Sequence, residues 1–153
     1  MFRNDLIYVC FYGNMYIPKG KENKFRKEDF TMNKNAENYF KGLLEKHNSV
    51  TTLTVGEREF YGFYRNNLYN KSKDFEINGV LFEDAIPSLA EAIRESGLES
   101  FIVTDNSTAL MRVLHSFAKE GFEMTGLATT ERQVERYGSE EIEIVNGVGF
   151  KII

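Results

Sequence analysis

The chain has 153 residues, with 19 basic and 23 acidic side chains, 42% hydrophobic content, 14% aromatic content and no tryptophan. A formal charge of −4 argues against a dedicated nucleic-acid or anionic-membrane binder, and Cys10, the single cysteine, rules out an internal disulfide. With His47 and His115 that cysteine makes a poor inventory for a structural zinc site.

A chain of this length buries roughly 68–70% of its unfolded surface, so one domain spanning residues 1–153 is expected. No apolar run approaches the roughly 18 residues of a membrane span, and no signal-peptide core follows Met1. A cytoplasmic location is expected. Thirteen Asn, eleven Lys, thirteen Phe and eight Tyr suggest an AT-rich coding sequence, pointing to a phage or low-GC bacterium and, for a phage, to host cytoplasm or virion. Charge is polarised along the chain: residues 1–35 carry 7 basic and 4 acidic groups, and residues 71–104 carry 3 and 7.

Residues 6–12 read as a buried first strand ending at Gly13-Asn14. A basic loop follows over about 19–34, holding Lys19, Lys21, Lys24, Arg26 and Lys27 with Tyr16, Phe25 and Phe30 interleaved. Its composition suits a solvated loop, with phosphate and base contact as the alternative. Ala36, Phe40, Leu43, Leu44 and His47 lie on one helical face, with Asn35 as the cap. Residues 51–55 and 58–64 alternate as two antiparallel strands around a Gly56-Glu57 turn, and residues 74–82 form a third strand turned or bulged at Asn78-Gly79.

Ser88 and Glu91 have capping-box spacing for a second helix over about 87–96, closed by Gly97. Residues 100–104 read as a strand covered on both faces. Leu110, Val113, Leu114, Phe117 and Ala118 mark a third helix, preceded by cap-competent Asp105, Asn106 and Ser107 and closed by Gly121. Residues 123–130 and 140–153 form the closing strands, the second interrupted at Asn146-Gly147.

This order predicts an α+β fold, a mixed, mostly antiparallel sheet of about seven strands covered by about three helices. Asn106 and Ala109, then Gly121-Phe122 after a helix, resemble the N-x-x-A…G-F signature of the GNAT (acyl-CoA N-acyltransferase) superfamily. The resemblance implies a cleft between two splayed parallel strands, here residues 75–82 and 100–104. In it, strand backbone at Val80, Leu81 and Phe82, together with Asn106, would bind acetyl-CoA. Helix N-terminal amides in a Q/R-x-x-G-x-G/A loop hold the pyrophosphate in that family.

This chain has Glu83-Asp84-Ala85-Ile86-Pro87-Ser88 at the loop, with no glycine, one donor removed by proline, and two carboxylates. Like charges about 4 Å apart repel by roughly 4 kcal/mol at an effective dielectric of 20. The family's tyrosine acid, four residues before the G-F pair, is Phe117 here, which has no proton to give. The interval from Asn106 to Gly121 is also about a helical turn longer than the family's.

A base on the strand before the loop would be Asp74 or Glu76, with Glu83 at its end, although a solvated sheet face accounts for these carboxylates more simply. His115, one position off its helix's apolar stripe, reads as a half-buried structural histidine, and Cys10 as an inert core thiol. Arg58, Tyr61, Tyr64, Arg65 and Tyr69 form a Tyr/Arg patch with the composition of an interface, or of strand core aromatics.

Three functions are open at this point. The first is a GNAT-like binding or structural protein with a degraded acetyl-CoA site, no cofactor and a protein partner. The second is an active N-acetyltransferase using acetyl-CoA. The third is an unrelated α+β interaction module. No membrane or nucleic-acid partner is expected, and a homo-oligomer is allowed.

Overall fold

The computed structural model describes residues 32–49, 51–79, 83–104 and 107–153. The predicted strand at 6–12, Cys10 and the basic loop as far as residue 31 lie outside the described residues, as do Val80, Leu81, Phe82, Asp105 and Asn106.

Asn33, two residues before the predicted cap, starts helix α1 (Lys34–Asn48): its Oδ1 accepts from the Ala36 amide at 2.8 Å. Its Nδ2 donates to the Gly97 carbonyl at 2.9 Å, so one side chain caps α1 and fastens it to the end of a later helix. The apolar stripe is narrower than predicted. Ala36, Phe40 and Leu43 are buried, while Leu44 and His47 are exposed.

Helix α2 (Val55–Asn70) stands where two strands and a Gly-Glu turn were expected. The cause is local and strong. Thr54 Oγ1 accepts from the Glu57 amide at 3.0 Å and Glu57 Oε1 accepts from the Thr54 amide at 2.8 Å, a complete capping box. From there Phe60, Phe63 and Asn67 recur at helical spacing on the buried face. Gly56 is a packing point rather than a turn residue. A Cβ there would collide with the backbone of Ser88 and Leu89.

The predicted third strand contracts to β1 (Glu76–Ile77), and one 3-10 turn (Glu83–Ala85) leads into helix α3 (Ile86–Ser96). Ser88 does not cap α3; its Oγ accepts from the Gly56 amide at 2.9 Å, joining α3 to α2. Gly97, at φ 81°, ends the helix as predicted. Strand β2 (Ser100–Val103) buries Phe101 and Val103 but exposes Ser100 and half-exposes Ile102, so it is covered on one face rather than two.

Helix α4 (Leu110–Lys119) buries Val113, Leu114 and Phe117. It leads into β3 (Glu123–Arg136) and β4 (Ser139–Lys151), an unbroken hairpin longer than predicted. Tyr137 and Gly138, at φ 52° and 82°, form its two-residue turn, whose backbone matches the twist of the flanking strands. β4 passes straight through Asn146-Gly147. Glycine is needed there because a Cβ would meet the Val103 carbonyl and Ile102 side chain of the adjoining strand.

The fold is therefore α+β, with four helices and a four-stranded mixed sheet in the order β1-β2-β4-β3 among the described residues, not seven strands and three helices. β1 and β2 are parallel, pairing Glu76 with Ile102 and Ile77 with Val103, and the other pairs are antiparallel.

Phenylalanine supplies the bulk of the interior, in two groups. Phe40, Phe60, Tyr64 and Phe75 join α1, α2 and the entry to β1, with Tyr64 stacked on Phe40 at 4.0 Å. Phe101, Phe117, Phe122 and Phe150 join β2, α4 and β4. Such pairs add roughly 0.5–1.5 kcal/mol each beyond the area they bury.

Candidate functional site

The polar centre of the molecule is built around β1. In a parallel pair, alternate residues of an edge strand turn their backbone groups away from the neighbour, and Glu76 does so here. The bonds to β2 come from the flanking carbonyls, with Ile102 N–H donating to Phe75 and Thr104 N–H to Ile77. The outward backbone groups of Glu76 are taken up by Asn67 of α2: Oδ1 accepts from the Glu76 amide at 2.8 Å and Nδ2 donates to its carbonyl at 2.9 Å. Asn67 is buried, and Nδ2 also donates to the Phe63 carbonyl at 2.7 Å.

The Glu76 side chain is 1% exposed. Its Oε1 accepts from Arg132 Nη2 at 2.6 Å and from Thr104 Oγ1 at 3.0 Å, while Oε2 accepts from Arg132 Nε at 3.4 Å. Arg132 belongs to β3, the opposite edge of the sheet, so the sheet curls until its outer members meet. Two more bonds mark the closure. Lys73 N–H donates to the Glu131 carbonyl at 2.8 Å, and Asp74 N–H donates to Thr130 Oγ1 at 3.2 Å.

The charges continue outward along one face of the hairpin. Arg132 lies 3.7 Å from Glu143, and Arg136 lies 3.7 Å from Glu143 and 3.6 Å from Glu141. Glu76 is therefore not the solvated carboxylate expected from its strand but the inner end of an alternating series.

A groove of about 680 Å³ opens beside this centre, lined in part by Asn33, Asp74, Ile102, Thr125, Gly149 and Lys151. It lies at the N-terminal ends of β1 and β2. Ligands of parallel sheets ordinarily sit at the carboxyl ends.

The other predicted residues fall as follows. Asp74 is exposed, and Glu83 is half-exposed and paired with Arg112 at 2.5 Å. Phe117 is fully buried among Phe101, Phe122 and Phe150. His115 is exposed, not half-buried. Val80, Leu81, Phe82 and Asn106, the residues the resemblance assigned to cofactor, are outside the described residues.

The Tyr/Arg patch lies on α2, not on strands. Tyr61 and Tyr64 are half-buried against the core, Arg65 is half-buried, and Arg58 and Tyr69 are exposed. Burial pushes the Tyr64 hydroxyl up to about 12, with the nearby Tyr61 and Glu37 adding to it. That hydroxyl stays protonated through the physiological range.

Sequence reasoning missed Asn67, Thr104 and Arg132. One signal was present for Asn67, a polar residue on the apolar stripe that holds Phe60 and Phe63. Another was the alternation of Thr130, Arg132 and Val134 on one face of β3, which sets an arginine among inward positions.

Among the described residues no group of three or more His, Cys, Asp or Glu is placed to hold a metal ion. No helix among them is long and apolar enough to cross a membrane. A family model described as a domain of unknown function (DUF7698) matches residues 59–152. No curated protein and no solved structure matches the chain.

Proposed function

The chain belongs to the DUF7698 family, a domain of unknown function, and from that premise we propose that it acts by binding a protein partner on a GNAT-like frame, without acyl-transfer chemistry. The observation that carries this reading is the Glu76–Arg132 pair. A general base must reach its substrate with a free lone pair, and both Glu76 oxygens are engaged in a buried contact that also clasps the sheet. The carboxylate is used for architecture.

The parallel β1–β2 pair, followed by a helix and a closing hairpin, supports the GNAT-like frame. The approach to the expected pyrophosphate seat supports the loss of its function. Glu83 and Asp84 precede α3, Pro87 in its first turn lacks an N–H, and the Ser88 hydroxyl is committed to Gly56. These residues do not fit a diphosphate, which calls for clear amides and no facing carboxylate. Phe117 likewise supplies no acid at the position of the family's tyrosine.

The test is transfer of labelled acetyl groups from acetyl-CoA to a panel of amines and lysine peptides. No turnover above the uncatalysed rate is expected. Turnover that survives purification and disappears in an Asn106→Ala variant would establish the N-acetyltransferase reading instead.

A further inference from the structure

The groove of about 680 Å³ at the N-terminal ends of β1 and β2 is crossed by a row of polar side chains. Paired residues of neighbouring strands share a face, and Ser100 pairs with Lys151 as Ile102 pairs with Gly149. That face is turned away from the helices, because Phe101 and Phe150, which point the other way, are buried against Phe117 of α4. The parallel register sets Glu76 beside Ile102, and two residues earlier it brings Asp74 toward Ser100. Asp74, Ser100 and Lys151 all line the groove, and all three are exposed. Neighbouring strands lie about 4.8 Å apart, so the strands carrying the anion and the cation stand about 10 Å apart, with a hydroxyl between them.

Two local features shape the floor. β3 carries a bulge between Met124 and Gly126, which leaves Thr125 as the extra residue of the ladder and re-aims its side chain over β4. Gly149 makes room for it, since a Cβ there would lie 2.6 Å from Thr125 Oγ1. A second hydroxyl therefore stands on the Lys151 side of the groove. Asn33, the N-cap of α1, lines the same groove, so the positive end of that helix lies at its wall. Glu99 adds a further negative charge to the lining, and Leu98, Ile102 and Ala128 belong to its apolar part.

We infer that this groove binds a small zwitterion of the α-amino-acid class with an apolar side chain. The ligand's carboxylate accepts from Lys151 Nζ and from the hydroxyls of Ser100 and Thr125, its ammonium donates to the Asp74 carboxylate, and its side chain covers Ile102 and Ala128. Ligand pockets of about 300–1,000 Å³ are ordinarily apolar with a few convergent polar groups that fix orientation, and this lining has that make-up. Among the described lining residues one cation stands against two carboxylates, which disfavours a second negative charge on the ligand and selects against acidic amino acids. The inference goes beyond the partner-binding reading and does not depend on it.

The experiment is NMR titration of the full chain with L-leucine, and in parallel with L-glutamate, N-acetyl-L-leucine and L-leucinamide, which add or remove one charge. Leucine is expected to shift the amides of residues 99–102, 125 and 149–151 in a saturable way. Each of the three analogues should bind about ten-fold or more weakly, the effect of one charge-assisted hydrogen bond lost or one like charge added. Asp74→Asn and Lys151→Met, both at exposed positions, should each weaken leucine by a similar factor with the melting temperature unchanged. Leucine that shifts no amide, or shifts amides away from the groove, overturns the proposal. So do analogues that bind as tightly as leucine, and so does an affinity that both variants leave unchanged.

Discussion

The carboxamide of Asn67 stands in for a neighbouring strand at Glu76, accepting from its amide at 2.8 Å and donating to its carbonyl at 2.9 Å. The outer side of a two-residue strand is thereby closed from within the chain.

Replacing Asn67 with Leu keeps the branched shape, though not the size, and removes both bonds to Glu76. Two buried backbone groups lose their partners, at roughly 1–3 kcal/mol each, so a loss of about 2–6 kcal/mol is expected in urea unfolding. A loss below 0.5 kcal/mol would mean that water reaches β1.

The Glu76–Arg132 contact predicts strong non-additivity. Arg132→Met alone leaves a carboxylate stranded at 1% exposure and should cost about 3–5 kcal/mol, whereas Glu76→Leu combined with Arg132→Met should recover most of that loss. A double-mutant cycle measures the difference, and simple additivity would argue against the pairing.

Glycines 56 and 62 share one helix and predict opposite signs. Gly62→Ala meets nothing within 4 Å and should stabilise by about 1 kcal/mol through helix propensity. Gly56→Ala drives a methyl into the Ser88–Leu89 backbone and should cost about 2–3 kcal/mol by forcing α2 from α3. Thermal unfolding of the two variants checks both.

Much of this was legible in the sequence. The α3–β2–α4 succession and the closing hairpin follow from helical stripes, Gly97, and the apolar run at Phe101, Ile102 and Val103. The stretch over residues 51–64 misled because its aromatics satisfy a period of two as readily as one of 3.6. Thr54 and Glu57, three residues apart, were the decisive local signal. The Glu76 site was not legible, because it forms only where β3 meets β1 across the folded sheet and joins residues 56 apart in sequence. No spacing rule links positions 76 and 132.

Acid titration should expose the α2 cap. Burial acts to raise the Glu57 carboxyl, but the Lys46 ammonium at 2.8 Å and the Thr54 hydrogen bonds outweigh it and hold the group below its ordinary 4.5. Because the folded value is lowered, this stabilisation is fully present above pH 4.5 and is lost as pH falls through the folded value. Glu57→Gln should flatten the stability profile in that window, and Lys46→Ala should move the Glu57 titration upward by NMR. An unchanged profile in both would remove the capping box from the account.

The most direct test of a binding domain without a nucleotide seat is calorimetric titration of the full chain with acetyl-CoA, checked by thermal shift. The expected result is no saturable heat and no change in melting temperature. A ligand at 100 times its dissociation constant adds about 2.7 kcal/mol, or roughly 5–10 °C for a chain of this size, so saturable binding with such a shift would contradict the account.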